Sequence, residues 1–169
     1  SFEKLEIIES LVNALKTQGI ETPTEIQEMA IPPALKNKDI IGQSETGSGK
    51  TLAYLLPLFQ KINVNAREMQ ALILAPTHEL AIQIQRQVEI LGENSGLPVT
   101  STPIIGDVNI KRQIEKLREK PHIIVGSPGR MLELIKMRKI SAHTVKTIII
   151  DEADRLLDEK NIENIRAVV

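Results

Sequence analysis

The chain has 169 residues and a formal net charge of −1, which corresponds to one domain of ordinary size without the basic excess of a general nucleic-acid binder. Hydrophobic residues make up 41 % and charged residues 25 % of the sequence, and these proportions fit neither a disordered tail nor a membrane protein. The lack of cysteine excludes disulfides and thiolate metal sites, and a cytoplasmic location is the default expectation.

The first forty residues are predicted to form two helices ahead of the rest of the chain. Apolar residues recur at helical spacing in the first helix, and Gly19 is suited to end it. In the second helix Thr22 is expected to be the N-cap, with Pro23 at the first helical position and Glu25 completing a capping box. Gln27 therefore lies in the first turns of this helix. The apolar positions of the first helix are Ile7, Ile8, Leu11, Val12 and Leu15.

Short apolar runs rich in β-branched residues alternate with amphipathic segments along the remaining sequence. The runs predict strands buried on both faces, at 71–75, 99–105, 122–125 and 147–150, with a weaker one at 39–41. Apolar residues at helical spacing between them predict helices. This alternation predicts an α/β fold, a parallel sheet with helices on both faces. In such sheets ligands bind at the carboxyl ends of the strands.

A glycine-rich segment follows the weak strand and opens the next helix. Such a turn points backbone N–H groups at phosphate oxygens, and the helix N-terminus adds about half a positive charge. Lys50 would reach the β- and γ-phosphates, and the Thr51 hydroxyl would ligate Mg²⁺. Ser44 stands where the strict phosphate-loop pattern has glycine, and a loop that only turns the chain is the structural alternative. The segment consists of Ser44, Glu45, Thr46, Gly47, Ser48, Gly49, Lys50 and Thr51.

Two acidic residues end the last apolar run, where the opposite wall of a nucleoside triphosphate site is expected. Asp151 at the strand tip could hold Mg²⁺ through water, and Glu152 could orient or deprotonate an attacking water. Acidic residues at a strand end are commonly just solvated. The pair is informative here because the phosphate loop accompanies it.

These residues resemble the motifs of the DEAD-box ATP-dependent RNA helicases. Residues 151–154 read Asp-Glu-Ala-Asp, and residues 46–51 are similar to the phosphate loop of that family. Phe2 together with residues 19–27 resembles its glutamine motif. The elements Pro-Thr-Arg-Glu-Leu-Ala and Thr-Pro-Gly-Arg of the family are matched in order by 76–81 and 127–130. The resemblance covers essentially the whole chain.

The resemblance implies a first RecA-like domain at 39–169, preceded by a helical extension at 1–38 that carries the glutamine motif. It gives Gln27 the task of reading the adenine edge while Phe2 packs near the base, because an amide offers the donor and the acceptor that adenine needs. Lys50, Asp151 and Glu152 become the catalytic residues. Thr22 and the whole of 44–51 join the nucleotide site, with Mg²⁺ held by Thr51 and Asp151 through ATP and water.

The resemblance also implies contacts with the sugar-phosphate backbone of RNA. These contacts would come from loops that directly follow predicted strands, although turn chemistry and helix capping are the structural alternative for the loop after 122–125. Asp154 would couple this domain to a second one. The expected RNA-binding residues are Pro76, Thr77, His78, Gly106, Ser127, Pro128, Gly129 and Arg130.

Two positions depart from the family pattern in ways that should weaken RNA binding. His78 stands where the family has arginine, and Asp107 stands where it has a second glycine, so we expect a low RNA affinity.

All three histidines are expected to be ordinary loop or surface residues, and no metal site built by the protein alone is expected. Two basic runs are interpreted as solvated helix faces. They comprise Lys111, Arg112, Lys116, Arg118 and Lys120, and Lys136, Arg138 and Lys139.

The expected function is that of the ATP-binding domain of an ATP-dependent RNA helicase that separates RNA duplexes locally. ATP and Mg²⁺ are the expected cofactors, and the chain is expected to be monomeric. Its partners would be RNA and a second RecA-like domain of a longer parent chain. Because arginine fingers from that domain would be missing, this chain alone should turn over very slowly. A DNA helicase or translocase, and a non-catalytic nucleotide-dependent RNA-binding scaffold, remain as alternatives.

Overall fold

Helices and strands alternate through the residues that the computed structural model describes, which are 1–37, 49–106 and 108–152. The helices in these ranges are α1 (Glu9–Thr17), α2 (Glu25–Leu35), α3 (Lys50–Lys61), α4 (His78–Ser95), α5 (Ile110–Leu117) and α6 (Pro128–Lys136), with short 3-10 turns at Glu3–Leu5 and Ala142–Thr144. The strands are β1 (Ala71–Leu74), β2 (Ser101–Ile104), β3 (Ile123–Gly126) and β4 (Thr147–Ile150). No helix within the described ranges has the length and apolar character needed to cross a bilayer.

The chain divides into two compact units. The first unit contains residues 1–63 and 90–98, and the second contains residues 64–89 and 99–169. The predicted strand at 39–41 lies outside the described residues.

The first unit confirms the predicted end of α1. Gly19 has a φ of +77°, where a side chain would be strained, so glycine is the suitable residue. The N–H of Gly19 donates to the carbonyl of Lys16 at 2.9 Å, and the N–H of Ile20 donates to that of Leu15 at 2.8 Å. This pair of bonds is a Schellman motif. Of the predicted apolar stripe, Ile8 is exposed because it precedes the helix as its N-cap.

The N-cap of α2 is Thr24, so the expectation that Thr22 caps this helix is wrong. The Thr24 hydroxyl accepts a hydrogen bond from the N–H of Gln27 at 3.4 Å, and the Gln27 side chain accepts one from the N–H of Thr24 at 2.9 Å. Two capping boxes overlap in the sequence, one from Thr22 to Glu25 and one from Thr24 to Gln27. The second is formed because the Gln27 side chain reaches back to Thr24.

In the second unit the four described strands form a parallel sheet in the order β2-β3-β1-β4. Leu74 is level with Gly126 on one side and with Ile150 on the other. The carboxyl ends of the strands therefore meet at one edge. The predicted burial on both faces is confirmed for β1 and β3, which are buried at every residue. It is wrong for β2 and β4, which are partly exposed because they are the outer strands of the four.

One face of this sheet packs on α5 and α6. The buried cluster joins strand residues Leu72, Leu74, Ile104 and Ile124 to helix residues Leu117, Met131 and Leu134. The fold is α/β, as predicted, and each strand is followed by a loop at the carboxyl edge where the candidate site residues lie.

Candidate functional site

In the first unit the side chain of Gln27 is fixed against the start of α3. Its Oε1 accepts from the N–H of Thr24, and its Nε2 donates to the carbonyl oxygen of Gly49 at 3.1 Å. Gln27 is only 1 % exposed. The amide oxygen has a second lone pair and the amide nitrogen has a second hydrogen. The amide can therefore still accept one hydrogen bond from a ligand and donate one to it.

Gly49 is the N-cap of α3 and has a φ of +88°. A methyl group built on it would lie 2.5 Å from Nε2 of Gln27, so any side chain there would displace the amide. The first helical bond of α3 runs from the N–H of Ala53 to the carbonyl of Gly49. The N–H groups of Lys50, Thr51 and Leu52 therefore point along the helix axis beyond its N-terminus, which is the arrangement that binds anions.

The other nucleotide-site residues predicted in this unit have different surroundings. Phe2 is 1 % exposed and is thus a core side chain, whereas Thr22 lies exposed in a bend. Gln60 of α3 holds the segment after Phe2, since its Oε1 accepts from the N–H of Ile8 at 2.8 Å. The loop residues Ser44, Glu45, Thr46, Gly47 and Ser48 lie outside the described residues.

In the second unit Asp151 and Glu152 follow β4 as predicted. Asp151 is 3 % exposed, and its N–H extends the sheet by donating to the carbonyl of Leu74 at 2.9 Å. Glu152 has a φ of +51°, a backbone conformation that costs energy in a residue with a side chain and that clusters at functional sites. Asp154 lies outside the described residues.

Thr77, in the loop after β1, caps α4. Its hydroxyl oxygen accepts a hydrogen bond from the N–H of Leu80 at 3.1 Å. A hydroxyl that accepts in this way still has its proton to donate. The loop after β1 is thus held by the helix while it presents a hydrogen-bond donor at the carboxyl edge of the sheet.

Residues that follow three different strands converge beside Gly106. A methyl group built on Gly106, after β2, would lie 3.8 Å from Nε2 of His78, after β1. From the first turn of α6, which follows β3, Arg130 donates from Nη2 to the carbonyl of Gly106 at 3.0 Å and from Nη1 to that of Val108 at 3.2 Å. The structure therefore brings together predicted RNA-binding residues that are far apart in sequence. Asp107 lies outside the described residues.

Arg130 uses most of its hydrogen-bonding capacity inside the protein. Besides those two carbonyls, its Nη1 donates to Oε1 of Gln113 at 2.9 Å, and its Nε pairs with Glu133 at 3.2 Å. Three of the five guanidinium N–H groups thus donate hydrogen bonds, and Nε lies in an ion pair. The side chain therefore supports the turn at Gly106.

Gln113 is a residue of this site that sequence reasoning missed. It is 3 % exposed, and its Nε2 donates to the carbonyl of Ile105 at 2.6 Å. With Arg130 it fastens the turn after β2 on both sides. A signal was present, because Gln113 lies on the buried face of α5 with Ile110, Ile114 and Leu117, where a polar residue needs a partner.

The loop after β3 leads directly into α6. Ser127 is the N-cap and Pro128 the first helical residue, but the Ser127 side chain makes no capping bond. Gly129 is exposed. Backbone N–H groups in the first turn of α6 can therefore approach an anion. Helix capping by the Ser127 hydroxyl, the structural alternative for this residue, is not what the structure shows.

His122 lies in the loop just before β3, within the expectation of a loop or surface histidine, but it is only 5 % exposed and so is not a surface residue. Its Nδ1 accepts from the N–H of Thr100 at 3.1 Å. Burial lowers the pKa of His122; a hydrogen bond to the backbone of Ala66 opposes this, and the charge of Arg67 adds to the lowering. Among the described residues no group of three or more histidine, aspartate or glutamate side chains could hold a metal ion.

Comparison with known families gives one match over most of the chain. The family described as DEAD/DEAH box helicase matches residues 24–169. Among curated proteins, the DEAD-box ATP-dependent RNA helicase CshC of Bacillus cereus is 46 % identical over 159 residues, covering 94 % of this chain and 40 % of its own length. CshA of Bacillus licheniformis, a DEAD-box ATP-dependent RNA helicase, is 43 % identical over 169 residues, which is 34 % of its length. The chain thus spans between a third and two fifths of these relatives.

Solved structures agree with this match. A DEAD box protein from the hyperthermophile Methanococcus jannaschii superimposes with a TM-score of 0.92 at 36 % identity, covering 99 % of this chain and 45 % of the other. Dbp5 of S. cerevisiae, solved with nup159, gle1, ip6 and adp, gives a TM-score of 0.85 at 30 % identity and covers 96 % of this chain and 42 % of its own.

Proposed function

Because the chain belongs to the DEAD/DEAH box helicase family, we propose that it is the ATP-binding domain of an RNA helicase whose complete chain couples ATP hydrolysis to local separation of RNA duplexes. The observation that carries this proposal is the bond from Gln27 to Gly49. It joins the amide that would read adenine to the residue at which the phosphate-binding helix begins.

The nucleotide chemistry follows from these residues. The N-terminus of α3 and the Lys50 ammonium would attract the phosphates. Thr51 and Asp151 offer a hydroxyl and a carboxylate, which are oxygen donors of the kind that Mg²⁺ prefers. When bound, Mg²⁺ would offset phosphate charge. Glu152 would orient the water that attacks the terminal phosphoryl group, and the phosphorus–oxygen bond to the diphosphate would break in line with that attack.

RNA would bind at the carboxyl edge of the sheet through its backbone. Gly106 has no side chain and would let the RNA backbone approach closely. The Thr77 hydroxyl offers a hydrogen-bond donor, and the first turn of α6 offers backbone N–H groups. Contacts of these kinds recognise phosphate and not base sequence. Arg130 would act mainly by holding the Gly106 turn, since three of its N–H groups donate there. With His78 in place of arginine, we expect binding to be weak.

Nucleotide binding is tested by titrating a fluorescent ADP analogue into Lys50→Ala. Losing the ammonium should weaken binding at least about tenfold, because charge-assisted bonds to phosphate are strong. Lys61→Ala, at the other end of α3, is the matched control and should bind like the unaltered chain. Equal affinities of all three proteins would refute the phosphate-loop assignment.

RNA dependence is tested on the complete parent protein. Oligouridylate should stimulate ATP hydrolysis more than oligodeoxythymidylate of equal length, in keeping with relatives that are named RNA helicases. Equal stimulation by the two polymers would favour a DNA helicase or translocase.

A further inference from the structure

A cavity of about 500 Å³ opens in the second unit at the end of the sheet opposite the candidate site. Its lining residues come immediately before β1, β3 and β4 or from the ends of α5 and α6. The candidate site residues of this unit follow the same strands. Because the strands are parallel, the cavity lies at their amino ends. The volume falls within the usual range for a ligand-sized pocket.

The cavity gathers positive charge from three separate parts of the chain. Five of its lining residues are Lys or Arg, and Glu68 is the one carboxylate among them. Within the described ranges, none of these five cations makes an ion pair. They are Arg67 before β1, Arg118 and Lys120 after α5, and Arg138 and Lys139 after α6. Two basic runs that the sequence presents as solvated helix faces thus meet around one concave surface.

Helix ends account for only part of this clustering. Basic residues are favoured at the C-termini of α5 and α6 by the helix dipole, but Arg67 lies on the loop before β1 and on no helix. Lys120 and Arg138 moreover have φ values of +52° and +58°. Glycine suits such left-handed positions better than any residue with a side chain. Two cations therefore line the cavity where backbone preference alone would select glycine.

The floor of the cavity is apolar and its wall is fixed. Met69 and Leu117 are buried beneath the cations, and Ile114 is half-buried. The Thr144 hydroxyl donates to the carbonyl of Met69 at 2.6 Å, and the N–H of Ser141 contacts Sδ of Met69 at 3.4 Å. These bonds tie the loop before β4 to the floor, so the shape does not depend on an occupant.

We propose that this cavity, lined by Arg67, Arg118, Lys120, Arg138 and Lys139, binds an acidic protein segment that carries an apolar side chain. Carboxylates would pair with the arginines, which offer two parallel N–H groups to one carboxylate, and an aliphatic side chain would reach Ile114. A nucleic-acid backbone matches the charge but has no apolar group for the floor. The lining has no Phe, Tyr or Trp ring on which a base could stack, and its one imidazole is that of His143.

The test uses this 169-residue chain and a fluorescein-labelled peptide of sequence Asp-Glu-Asp-Leu-Asp-Glu-Asp, followed by fluorescence anisotropy. The peptide should bind saturably, and replacing its Leu by Ser should weaken binding several-fold. The double variant Arg118→Glu/Arg138→Glu should lose at least about tenfold in affinity, as expected when close charge pairs are reversed. Arg86→Glu/Arg112→Glu changes the same number of exposed charges outside the cavity and should bind as before.

Methyl NMR of the unaltered chain gives a second readout that does not depend on a variant. Signals of Ile114 and Met69 should shift on titration with the Leu peptide. No binding at millimolar peptide, or equal loss in both double variants, would overturn the proposal. So would an oligouridylate that shifts the same methyl signals and competes as strongly as the peptide, since that would make the cavity a nucleic-acid surface.

Discussion

Gln27 and Gly49 lie 22 residues apart and are joined by a bond of 3.1 Å between the side-chain amide and the backbone carbonyl. The same amide completes the capping box of α2 through its oxygen. One side chain therefore connects the start of α2 with the start of α3. A change of this amide should therefore alter the N-terminus of α3, where we propose that phosphate binds.

Gln27→Glu tests that connection. A carboxylate can still accept from the N–H of Thr24, but it cannot donate to Gly49, whose carbonyl would then face a charged oxygen. We expect nucleotide affinity to fall roughly 5- to 150-fold, which corresponds to about 1–3 kcal/mol for an unsatisfied polar group. Isothermal titration with ADP measures it. Gln83→Glu, an exposed change on α4, is the control. If both variants bind ADP with equal affinity, the Gln27 amide does not influence nucleotide binding at the start of α3.

The patterns that predicted the fold correctly are local ones. The β-branched runs at 71–75 and 147–150 are within one residue of β1 and β4, and Gly19 ends α1 as its backbone freedom requires. Local patterns cannot choose between competing partners. Thr22 and Thr24 are both suitable caps, and the choice depends on where the Gln27 side chain reaches.

The features that the sequence could not predict are contacts between distant residues. Arg130 and Gln113 are 17 residues apart, and only the pairing of β2 with β3 brings together the helices α5 and α6 that follow these strands. From the sequence Arg130 is a free cation for phosphate, whereas in the structure it is a support for Gly106. The cations around the cavity likewise come from segments about fifty and twenty residues apart.

Arg130→Lys separates the two roles of Arg130. Lysine keeps the positive charge but cannot make the forked contacts to Gly106, Val108 and Gln113. If the side chain mainly positions the turn, RNA affinity should fall about tenfold and the ADP affinity should not change, since charge-assisted bonds contribute about 1.5–3 kcal/mol each. The concentration of RNA that half-stimulates the ATPase of the complete parent protein measures this.

Gln113→Leu should reproduce that loss, and the double variant should be hardly worse than either single one because both act on the same turn. Arg112→Lys on the exposed face of α5 is the matched control. Full RNA affinity of Arg130→Lys would instead assign Arg130 to direct contact with phosphate.

His122 should make the free energy of unfolding depend on pH. Its pKa is lowered in the folded chain, whereas unfolded histidine takes up a proton near pH 6.5. Below about pH 6.5 the unfolded chain therefore binds more protons, and the free energy of unfolding falls as the pH drops, until the folded His122 is protonated as well. The slope for one proton is at most about 1.4 kcal/mol per pH unit.

Urea unfolding at pH 7.5, 6.5 and 5.5 measures this dependence. His122→Asn should flatten the curve between pH 6.5 and 5.5, and His143→Asn, an exposed change, should not. Parallel curves for the unaltered chain and His122→Asn would contradict a pKa of His122 that burial lowers.

Gly126→Ala should break the carboxyl edge of the sheet between β2 and β3. A methyl group on Gly126 would overlap the carbonyl oxygen of Ile104, and this backbone atom cannot move aside without disturbing the pairing of the two strands. We expect a loss of about 3 kcal/mol in the free energy of unfolding, at the upper end of overpacking costs.

Gly96→Ala is a control with a different strain, since Gly96 has a φ of +74° but no atom within 4 Å of the added methyl group. It should lose only about 1 kcal/mol, the cost of the left-handed backbone. Chemical denaturation of both variants decides between the two sources of strain, and a smaller loss for Gly126→Ala than for Gly96→Ala would mean that β2 and β3 can separate here at little cost.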